Sequence, residues 1–468
     1  MRVVCIGAGY VGSVTGTALA ANHHHTTIID VNQEKIERLS RGECPIYEPG
    51  METLLPTLIG KSLFATTSYD AVADADVIFI AVGTPSNPDG SADLRYIKQT
   101  AEQIGKHLSG ERFTVIAMKS TVPVGTCQWV TALLADASGL TPESDFTVVS
   151  NPEFLREGFA LEDVFFPDRI VIGSVHPQGL STMRRLYQGV LDRSGYEDLC
   201  QHFSFSYDLA APPAVYFETD TKSAELIKYA SNAFLAVKIS YINEIARLCE
   251  ALGGNVLDVA AGMGLDSRIG PKFLQVSSGG SGSCFPKDTA ELLSASEKVD
   301  SELMVVKAAV ASNERMHQYV VEKLERRLNG LKGKNIGILG LTFKPDTDDA
   351  RRTQASYIIG KLLEEGAQVR VHDPQGMGMF RELNPDMPIT YCTDPVQTGQ
   401  DADAVVLLTH WSMYQEMDWQ QMAGMMRQPY LLDTRNFLDA SRMRTCGFDY
   451  QGLGVAAKAS PSLGVMGK

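Results

Sequence analysis

The sequence predicts an α/β protein with two doubly wound parallel-sheet domains joined by a long central helix. A strand, a glycine-rich turn and a helix follow one another at the N-terminus, and a second such series begins near Lys334. Between them, apolar residues keep helical spacing from Asp220 to about Leu252, where Gly253 and Gly254 end the helix. We therefore expect a Rossmann-like domain at 1–212, a central helical domain at 213–315, a second Rossmann-like domain at 316–452 and a mobile tail at 453–468.

Composition excludes several classes of partner. The 468 residues include 56 acidic and 42 basic side chains, for a formal charge of -14, which disfavours binding to nucleic acid or to an anionic membrane. The eight cysteines form no C-x-x-C pair, which argues against a zinc site or a disulfide scaffold. The apolar runs are also shorter than a membrane span. We expect a soluble cytoplasmic protein without a metal.

The N-terminal turn predicts a dinucleotide site. The strand Val3–Ile6 leads into Gly7-Ala8-Gly9-Tyr10-Val11-Gly12 and a helix that runs to about Asn22. Glycines at these positions permit a tight turn, the approach of a pyrophosphate and close helix packing. The next strand, Thr26–Ile29, ends at Asp30, whose carboxylate is placed to bind a ribose and to repel a 2′-phosphate. NAD is therefore favoured over NADP.

Three adjacent histidines, His23, His24 and His25, suggest a metal site at first sight. Adjacent side chains point in different directions, however, and do not share one face. A solvated helix end is the preferred interpretation.

Polar residues follow three further predicted strands, Asp76–Val82, Phe113–Met118 and Phe146–Ser150. Open parallel sheets bind their ligands at this edge, although the same residue types also favour ordinary turns. Glu153 and Glu157 are four residues apart, and we expect them to share one face of a helical turn, either for acid/base work or as solvated surface. The residues that follow the strands are Thr84, Pro85, Ser120, Thr121, Asn151, Pro152 and Glu153.

The long helix carries a candidate polar pair. Asp220 or Thr221 is expected to cap it. Lys228 and Asn232 are one turn apart, so they project from the same face of an otherwise apolar helix. A helix of this length between two α/β halves predicts a spine or a dimer seam. Its predicted apolar stripe is Ala224, Ile227, Phe234, Val237, Tyr241, Ile245 and Leu248.

The second α/β unit lacks the full glycine fingerprint. Its first strand lies within 334–340, a helix is expected from about Thr353 to Glu365, and the strand 369–372 ends at Asp373. We therefore predict a nucleotide other than a second NAD. The strands Ala404–Leu408 and Tyr430–Leu432 complete the sheet, with Arg435 just beyond its carboxyl edge.

Cys284 is the candidate nucleophile. The small residues 277–282 precede it, so a ligand can approach the backbone, and Lys287 and Asp288 follow it. Lys287 is placed to lower the thiol pKa and Asp288 to order a water. The alternative is a small buried hydrophobe, the common environment of a free cysteine. A thiol beside a hydride acceptor suits the oxidation of an aldehyde through a thiohemiacetal and a thioester.

From Met1 to about Asn436 the chain resembles the UDP-glucose/GDP-mannose dehydrogenase family. The resemblance implies oxidation of the C6 alcohol of UDP-glucose to a carboxylate, using two NAD and Cys284 as the thioester nucleophile, in a homodimer or a higher homo-oligomer. The motifs that carry it are Gly7 to Gly12, Lys119 to Thr126, Asn151 to Gly158, Glu225 to Phe234, Ser283 to Asp288 and Phe343 to Asp346.

The resemblance also implies a role for each site residue. Lys228 stabilises oxyanions, Asp288 and Glu153 handle protons and water with Thr121, and Asn232 places water and substrate. Arg268 comes from the partner subunit. The implied cofactor-binding residues are Gly7, Gly9, Tyr10, Val11, Gly12, Asp30, Lys35, Thr84, Pro85, Ser120, Thr121, Glu157, Lys287 and Arg351. The implied substrate-binding residues are Glu153, Phe154, Leu155, Arg156, Lys228, Asn232, Arg268, Phe273, Leu274, Gly282, Phe343, Lys344 and Arg435.

One departure from the family pattern concerns the loop before Cys284. Gly280 and Ser281 stand where family members usually carry an aromatic residue and a glycine. Relatives that act on GDP-mannose or UDP-N-acetylmannosamine share the catalytic residues, so these sugars are alternative substrates. A catalytically silent nucleotide-sugar-binding protein and a two-electron alcohol dehydrogenase are further alternatives, and neither needs Cys284.

Overall fold

The computed structural model describes residues 1–203 and 205–456. The chain forms two compact units: the first contains 1–231 and 290–300, and the second contains 232–289 and the residues from 301 onward. Each has its own sheet, so the predicted fold class is confirmed. The predicted domain boundaries remain predictions.

The sheet of the first unit has, within the described residues, eight strands in the order β3-β2-β1-β4-β5-β6-β7-β8. All neighbours pair in parallel except β6 and β7, which are antiparallel and meet at Ser150 and Gly173. The strands are β1 (Arg2–Ile6), β2 (His25–Ile29), β3 (Leu63–Thr66), β4 (Val77–Ile80), β5 (Thr114–Met118), β6 (Phe146–Ser150), β7 (Arg169–Gly173) and β8 (Val215–Thr219).

Helices cover both faces of this sheet. Val3 and Cys5 of β1 belong to one apolar cluster, whereas Val4 and Ile6 belong to another, because successive strand residues point to opposite faces. Both clusters are buried, as a doubly wound sheet requires. The helices are α1 (Tyr10–Ala21), α2 (Gln33–Ser40), α3 (Met51–Leu58), α4 (Arg95–His107), α5 (Thr126–Ser138), α6 (Ala160–Phe165), α7 (Pro177–Leu186), α8 (Gln188–Asp192) and α9 (Tyr196–Leu199).

The long central helix is α10 (Thr221–Leu252), and three more helices follow it: α11 (Val256–Gly264), α12 (Phe285–Lys298) and α13 (Met304–Leu328). Asp220 caps α10 by accepting the Ser223 N–H at 2.9 Å. The predicted apolar stripe of this helix is only partly buried. Ala224 is buried, but Phe234, Tyr241 and Leu248 are 63%, 49% and 52% exposed. The buried apolar positions on this helix are Ala224, Tyr229, Ala233, Ile242, Ala246 and Cys249.

The second sheet has six strands in the described part of the chain, in the order β11-β10-β9-β12-β13-β14, and all its pairs are parallel. The strands are β9 (Asn335–Leu339), β10 (Gln368–His372), β11 (Thr390–Tyr391), β12 (Ala404–Leu407), β13 (Tyr430–Asp433) and β14 (Asp449–Gly452). The helices are α14 (Gln354–Glu364), α15 (Met377–Leu383), α16 (Met413–Glu416), α17 (Trp419–Met425) and α18 (Ala440–Thr445).

The end of the chain is ordered beyond the predicted boundary at 452. Leu453 is fully buried, and the Gly454 N–H donates to Glu250 at 2.8 Å. The first residues of the predicted mobile tail therefore pack against the protein. Its remainder, 457–468, lies outside the described residues.

The three histidines 23–25 lie only partly at a helix end, because the last of them belongs to a strand. His23 has a positive φ of 65° after α1, whereas His25 is the first residue of β2. The His24 ring contacts the Leu186 carbonyl at 3.0 Å, and burial lowers its pKa. In the described ranges, no group of three or more His, Cys, Asp or Glu side chains is arranged to hold a metal ion. Nor does any helix described there combine the length and apolarity needed to span a membrane.

Candidate active site

The glycine-rich turn has the shape of a dinucleotide cradle. A Cβ at Gly7, whose φ is 109°, would lie 2.5 Å from the Ala81 carbonyl oxygen, and one at Gly12 would lie 1.8 Å from the Gly7 carbonyl oxygen. These two glycines are therefore required by packing. Gly9 is different, because a Cβ there would meet no atom within 4 Å. Gly9 leaves open space at the start of α1, where a pyrophosphate would bind.

Asp30 stands at the end of β2, as predicted. Its carboxylate accepts the Ala8 N–H at 2.6 Å and the Asn32 N–H at 2.8 Å, so it also shapes the turn. The residues present fit NAD: an open glycine cradle, the N-terminus of α1 and a carboxylate after the second strand.

The corresponding acid of the second sheet, Asp373, serves a different purpose. It is fully buried and accepts hydrogen bonds from Leu341 N at 2.7 Å, Thr342 N at 3.1 Å and Trp411 Nε1 at 3.1 Å. A carboxylate saturated by protein donors has no capacity left for a ribose. This supports the prediction that the second sheet does not hold another NAD.

The predicted residues after β4 and β5 lie together. The Thr84 hydroxyl donates to the Thr121 carbonyl at 2.9 Å, and the Ser120 hydroxyl donates to the Val82 carbonyl at 2.6 Å. These bonds join two strand-end loops at the carboxyl edge of the sheet. Lys35 lies further along, in α2, where its backbone N–H is capped by Asn32 at 3.1 Å.

Glu153 and Lys228 form a buried ion pair. Lys228 Nζ lies 2.9 Å from Glu153 Oε1, and the two residues are 4% and 7% exposed. Burial opposes ionisation of Glu153, but the Lys228 ammonium, the Leu155 N–H and Lys119 outweigh it, so the pKa of Glu153 lies below its usual value. Lys228 Nζ also lies 5.4 Å from the centre of the Phe154 ring, above which Arg169 lies at 3.9 Å.

The expectation that Glu153 and Glu157 share a helical turn is wrong. Residues 151–156 are irregular, because Glu153 Oε2 accepts the N–H of Leu155 at 2.6 Å and so closes a local turn. Glu153 is directed to Lys228 instead. Arg156, a predicted substrate contact, pairs with Asp163 at 2.6 Å.

Lys119 is a polar residue of this region that the sequence reasoning missed. It is 8% exposed, and its Nζ contacts the side-chain oxygen of Asn151 at 3.3 Å, while the Tyr187 hydroxyl donates to the same oxygen at 2.6 Å. Burial lowers its pKa to about 8, partly offset by Glu153. A lysine at the end of β5 was the available signal, because buried lysines need a reason to be there.

Cys284 immediately precedes α12 and is exposed, so the buried-hydrophobe alternative is wrong for this thiol. Its Sγ lies 3.7 Å from the Ser283 hydroxyl, and its carbonyl accepts the Asp288 N–H at 2.8 Å. The N-terminus of a helix stabilises a thiolate. The geometry therefore presents an accessible thiol at the start of a helix.

Asp288, in the first turn of α12, is 1% exposed. Its Oδ2 accepts the Asn232 amide at 2.6 Å, and its Oδ1 pairs with Lys287 Nζ at 2.6 Å. The structure thus brings together three of the predicted residues. The ion pair between Lys287 and Asp288 was not part of the sequence prediction.

The loop before Cys284 is held by side chains from other helices. Asn313 accepts the Gly280 N–H at 2.5 Å and donates to the Gly280 carbonyl at 2.8 Å. The Ser281 hydroxyl donates to Gln354 Oε1, and the Gly282 N–H donates to the Arg352 carbonyl at 3.2 Å. The two positions that depart from the family pattern are therefore both anchored.

Several predicted substrate contacts lie at the edge of the second sheet. A Cβ at Gly282 would lie 2.8 Å from the Phe343 ring, and Arg435 donates to the Phe343 carbonyl at 3.1 Å and to the Leu408 carbonyl at 2.9 Å. Lys344 Nζ lies 5.8 Å from the centre of the Phe343 ring. Burial lowers the pKa of Arg435 to about 10. These groups give the edge a cationic and aromatic character.

The remaining predicted residues of the second unit have local partners. Arg351 pairs with Asp349 at 2.8 Å and donates to the Ser283 hydroxyl at 3.2 Å. Arg268 is highly exposed and pairs with Asp266 at 2.6 Å. The Phe273 and Phe285 ring centres are 6.2 Å apart, and Leu274 is 4% exposed.

Three family models match the chain. The NAD binding domain of the UDP-glucose/GDP-mannose dehydrogenase family matches residues 1–191, its central domain matches 222–315, and its UDP binding domain matches 337–440. The chain is 41% identical to a UDP-glucose 6-dehydrogenase of Rhizobium meliloti, with 97% of this chain and 99% of that protein covered. It is 39% identical to one of Bacillus subtilis, with coverage of 97% and 94%.

Solved structures agree with these matches. A UDP-glucose dehydrogenase from Pyrobaculum islandicum superposes with a TM-score of 0.85 at 38% identity, over 97% of this chain and 98% of that chain. A UDP-D-ManNAc dehydrogenase from Pyrococcus horikoshii has a TM-score of 0.81 at 24% identity, over 97% and 99%. At that identity the likeness concerns the fold alone.

Proposed function

Because this chain belongs to the UDP-glucose/GDP-mannose dehydrogenase family, whose members use NAD, we propose that it oxidises UDP-glucose to UDP-glucuronate through a thioester on Cys284. The observation that carries this proposal is the exposed Cys284 thiol at the start of α12, four residues before the buried Asp288. A protein that only binds nucleotide sugars has no use for this pair. The bound nicotinamide supplies the hydride acceptor for each oxidation.

In the first oxidation, the C6 hydroxyl loses its proton and the C6 carbon loses a hydride, which gives an aldehyde. Glu153 is ionised and held in place by Lys228, so it is suited to accept a proton directly or through water. The Lys228 ammonium stabilises negative charge that develops on oxygen. Thr121 and Asn232 complete the set that orients water and substrate.

In the second oxidation, the Cys284 sulfur adds to the aldehyde carbon and the aldehyde oxygen gains a proton. Loss of a second hydride and of the hydroxyl proton turns this thiohemiacetal into a thioester. Water then cleaves the C–S bond, which releases the carboxylate and restores the thiol. Asp288, fixed by Asn232 and Lys287, is suited to accept the proton from that water.

Similarity to named relatives favours UDP-glucose over the alternative sugars as the substrate of this chain. Those at 41% and 39% identity bear the name UDP-glucose 6-dehydrogenase, whereas the UDP-D-ManNAc dehydrogenase structure is 24% identical. Nearly complete coverage in both directions supports carrying over the whole activity.

A reactive thiol also needs a reducing setting, which supports the predicted cytoplasmic location.

The dimer is part of the same proposal. Phe234, Tyr241, Leu248 and Leu252 of α10 are between 49% and 76% exposed, and a row of such large apolar side chains is uncommon on the surface of a monomeric protein. A second copy of the chain is the occupant that the family resemblance implies, and it would also supply Arg268. Sedimentation that shows a monomer at micromolar concentration would contradict this part.

The decisive experiment counts electrons. Wild type with UDP-glucose should form two NADH for each UDP-glucuronate, with NADH read by absorbance and the acid by chromatography. Cys284→Ala should lose acid formation by several orders of magnitude, because no thiol adduct forms. Cys446→Ala, which removes a partly buried thiol at the end of α18, is the matched control and should behave as wild type.

Each contrary result has a distinct meaning. A ratio of one NADH per product indicates a two-electron dehydrogenase. Acid formation by Cys284→Ala near the wild-type rate excludes the thioester. Binding of UDP-glucose without NADH formation identifies a silent binding protein, and faster turnover of GDP-mannose or UDP-N-acetylmannosamine identifies a different substrate.

A further inference from the structure

Glu48 is a buried carboxylate that the reaction described above does not use. It lies between α2 and α3, is 3% exposed and accepts four hydrogen bonds. Its Oε1 accepts the N–H groups of Ala160 at 2.6 Å and Leu161 at 3.3 Å. Its Oε2 accepts the Gly158 N–H at 2.6 Å and the Tyr10 hydroxyl.

These donors belong to two different functional segments. Tyr10 is the fourth residue of the glycine-rich turn and the first residue of α1. Gly158 ends the segment Asn151–Gly158, which begins at the end of β6 and contains Glu153. The Tyr10 hydroxyl also contacts the Gly158 N–H directly. One carboxylate oxygen of Glu48 therefore holds the glycine-rich turn Gly7–Gly12, the cofactor turn, and the segment Asn151–Gly158 at the same point.

The electrostatics make this contact stiff. Burial raises the pKa of Glu48, while four hydrogen bonds favour its ionised form. Burial and the neighbouring Glu48 carboxylate raise the pKa of Tyr10, so its hydroxyl keeps the proton that it donates. A buried donor or acceptor that loses its hydrogen-bond partner is costly. A displacement of Tyr10 must therefore move Glu48 and the Gly158 backbone with it, or break such a bond.

We propose that Glu48 is a positioning residue that couples the cofactor turn to the segment Asn151–Gly158, so that dinucleotide and nucleotide sugar each strengthen the binding of the other. The coupling rests on the proposed function, because that function places the sugar at Glu153. Coupling between two binding sites is reciprocal, so either ligand can report it. Because Glu48 is buried and its four hydrogen bonds come from protein groups, we assign it no contact with either ligand.

The test is a binding experiment without turnover. NADH and UDP-glucose form a pair that cannot react, because the cofactor is already reduced and the sugar is still an alcohol. Calorimetry measures the Kd of NADH with and without saturating UDP-glucose. For wild type we expect the sugar to tighten NADH binding by about fivefold or more, the usual lower range for coupled sites.

Glu48→Gln should reduce this factor to below about twofold. An amide has one acceptor oxygen, so its NH2 group must face backbone N–H donors that had a carboxylate oxygen before. Tyr10→Phe should reduce the factor as well, and the double variant should lose little more than either single one. Glu52→Gln, an exposed acid in the first turn of α3, is the matched control and should keep the wild-type factor.

The outcomes separate this inference from the proposed function. If UDP-glucose does not bind wild type, the proposed substrate is wrong and the coupling with it. If both ligands bind wild type without coupling, or if Glu48→Gln folds and keeps the wild-type factor, Glu48 does not couple the sites. If Glu48→Gln does not fold, Tyr10→Phe decides, since it removes only the hydroxyl. An unchanged factor in Tyr10→Phe then overturns the inference.

Discussion

Lys228 Nζ lies 2.9 Å from Glu153 Oε1, and both side chains are almost completely buried. A lysine that merely extended from its helix towards water would be exposed at its end. The two charges are therefore held together inside the protein. It ties β6 to α10, and Glu225, one turn earlier on α10, holds the start of α5 by accepting the Gly125 N–H at 2.6 Å and the Cys127 N–H at 2.8 Å.

Lys228→Ala should reduce turnover by about a hundredfold or more, because it removes the group that stabilises negative charge on oxygen. It should also lower the free energy of unfolding by roughly 3–5 kcal/mol, because Glu153 is left as a buried, unpaired charge. Steady-state rates and urea unfolding measure the two effects.

A second variant separates catalysis from stability in this pair. Lys228→Met combined with Glu153→Gln removes both charges and should recover much of the lost stability, while turnover stays low. Near-normal turnover in any folded variant without Lys228 would contradict its assignment to the reaction.

Asp30 should make the enzyme prefer NAD over NADP by at least about tenfold in kcat/KM, because a 2′-phosphate would meet a like charge. Asp30→Asn should narrow this preference. It should also weaken binding of both cofactors, since the Ala8 N–H loses its charged acceptor. Glu34→Gln, in the exposed first turn of α2, is the control and should leave the preference unchanged. Equal efficiency of wild type with NAD and NADP would refute the prediction.

The sequence predicted those elements whose signals are local. The Gly7–Gly12 turn, the strand that ends at Asp30 and the cap at Asp220 are each determined by a few neighbouring residues, and the structure places them as predicted. The small-residue loop before the candidate thiol of Cys284 is likewise visible in the sequence.

What the sequence did not reveal depends on contacts between distant residues. Glu48 meets Gly158 across 110 positions, and Lys119 meets Asn151 across 32. Nothing around Glu48 in the sequence distinguishes it from a surface charge, and only the position of Lys119 at the end of β5 hinted at burial. The apolar spacing of α10 likewise does not say which of its side chains face the core and which, like Phe234 and Tyr241, are exposed.

Gly282→Ala should disturb the loop that carries Cys284. Gly282 has a φ of 95°, and a Cβ there would lie 2.8 Å from the Phe343 ring. Strain of this kind costs about 1–3 kcal/mol, so either the ring or the loop must move. We expect at least about a tenfold loss of kcat. Gly262→Ala is the matched control, because a Cβ in that helical position meets no atom within 4 Å, and it should be neutral or slightly stabilising. Equal activity of the two variants would show that the loop tolerates displacement.

His317 packs against Gly279, in the loop before Cys284, and should make the free energy of unfolding depend on pH. Its Nε2 is buried without a hydrogen-bond partner in the described part of the chain, and a Cβ at Gly279 would lie 2.3 Å from it. Burial lowers its pKa to about 4, whereas an unfolded histidine has a pKa near 6.5. Between these values the unfolded state binds a proton that the folded state does not, so stability falls as pH falls from about 6.5 to 4. The difference corresponds to at most roughly 3 kcal/mol. Urea unfolding of wild type and His317→Asn across this range gives the free energy of unfolding as a function of pH. The two plots should converge towards acid pH, because the variant lacks this loss. Parallel plots would contradict the prediction.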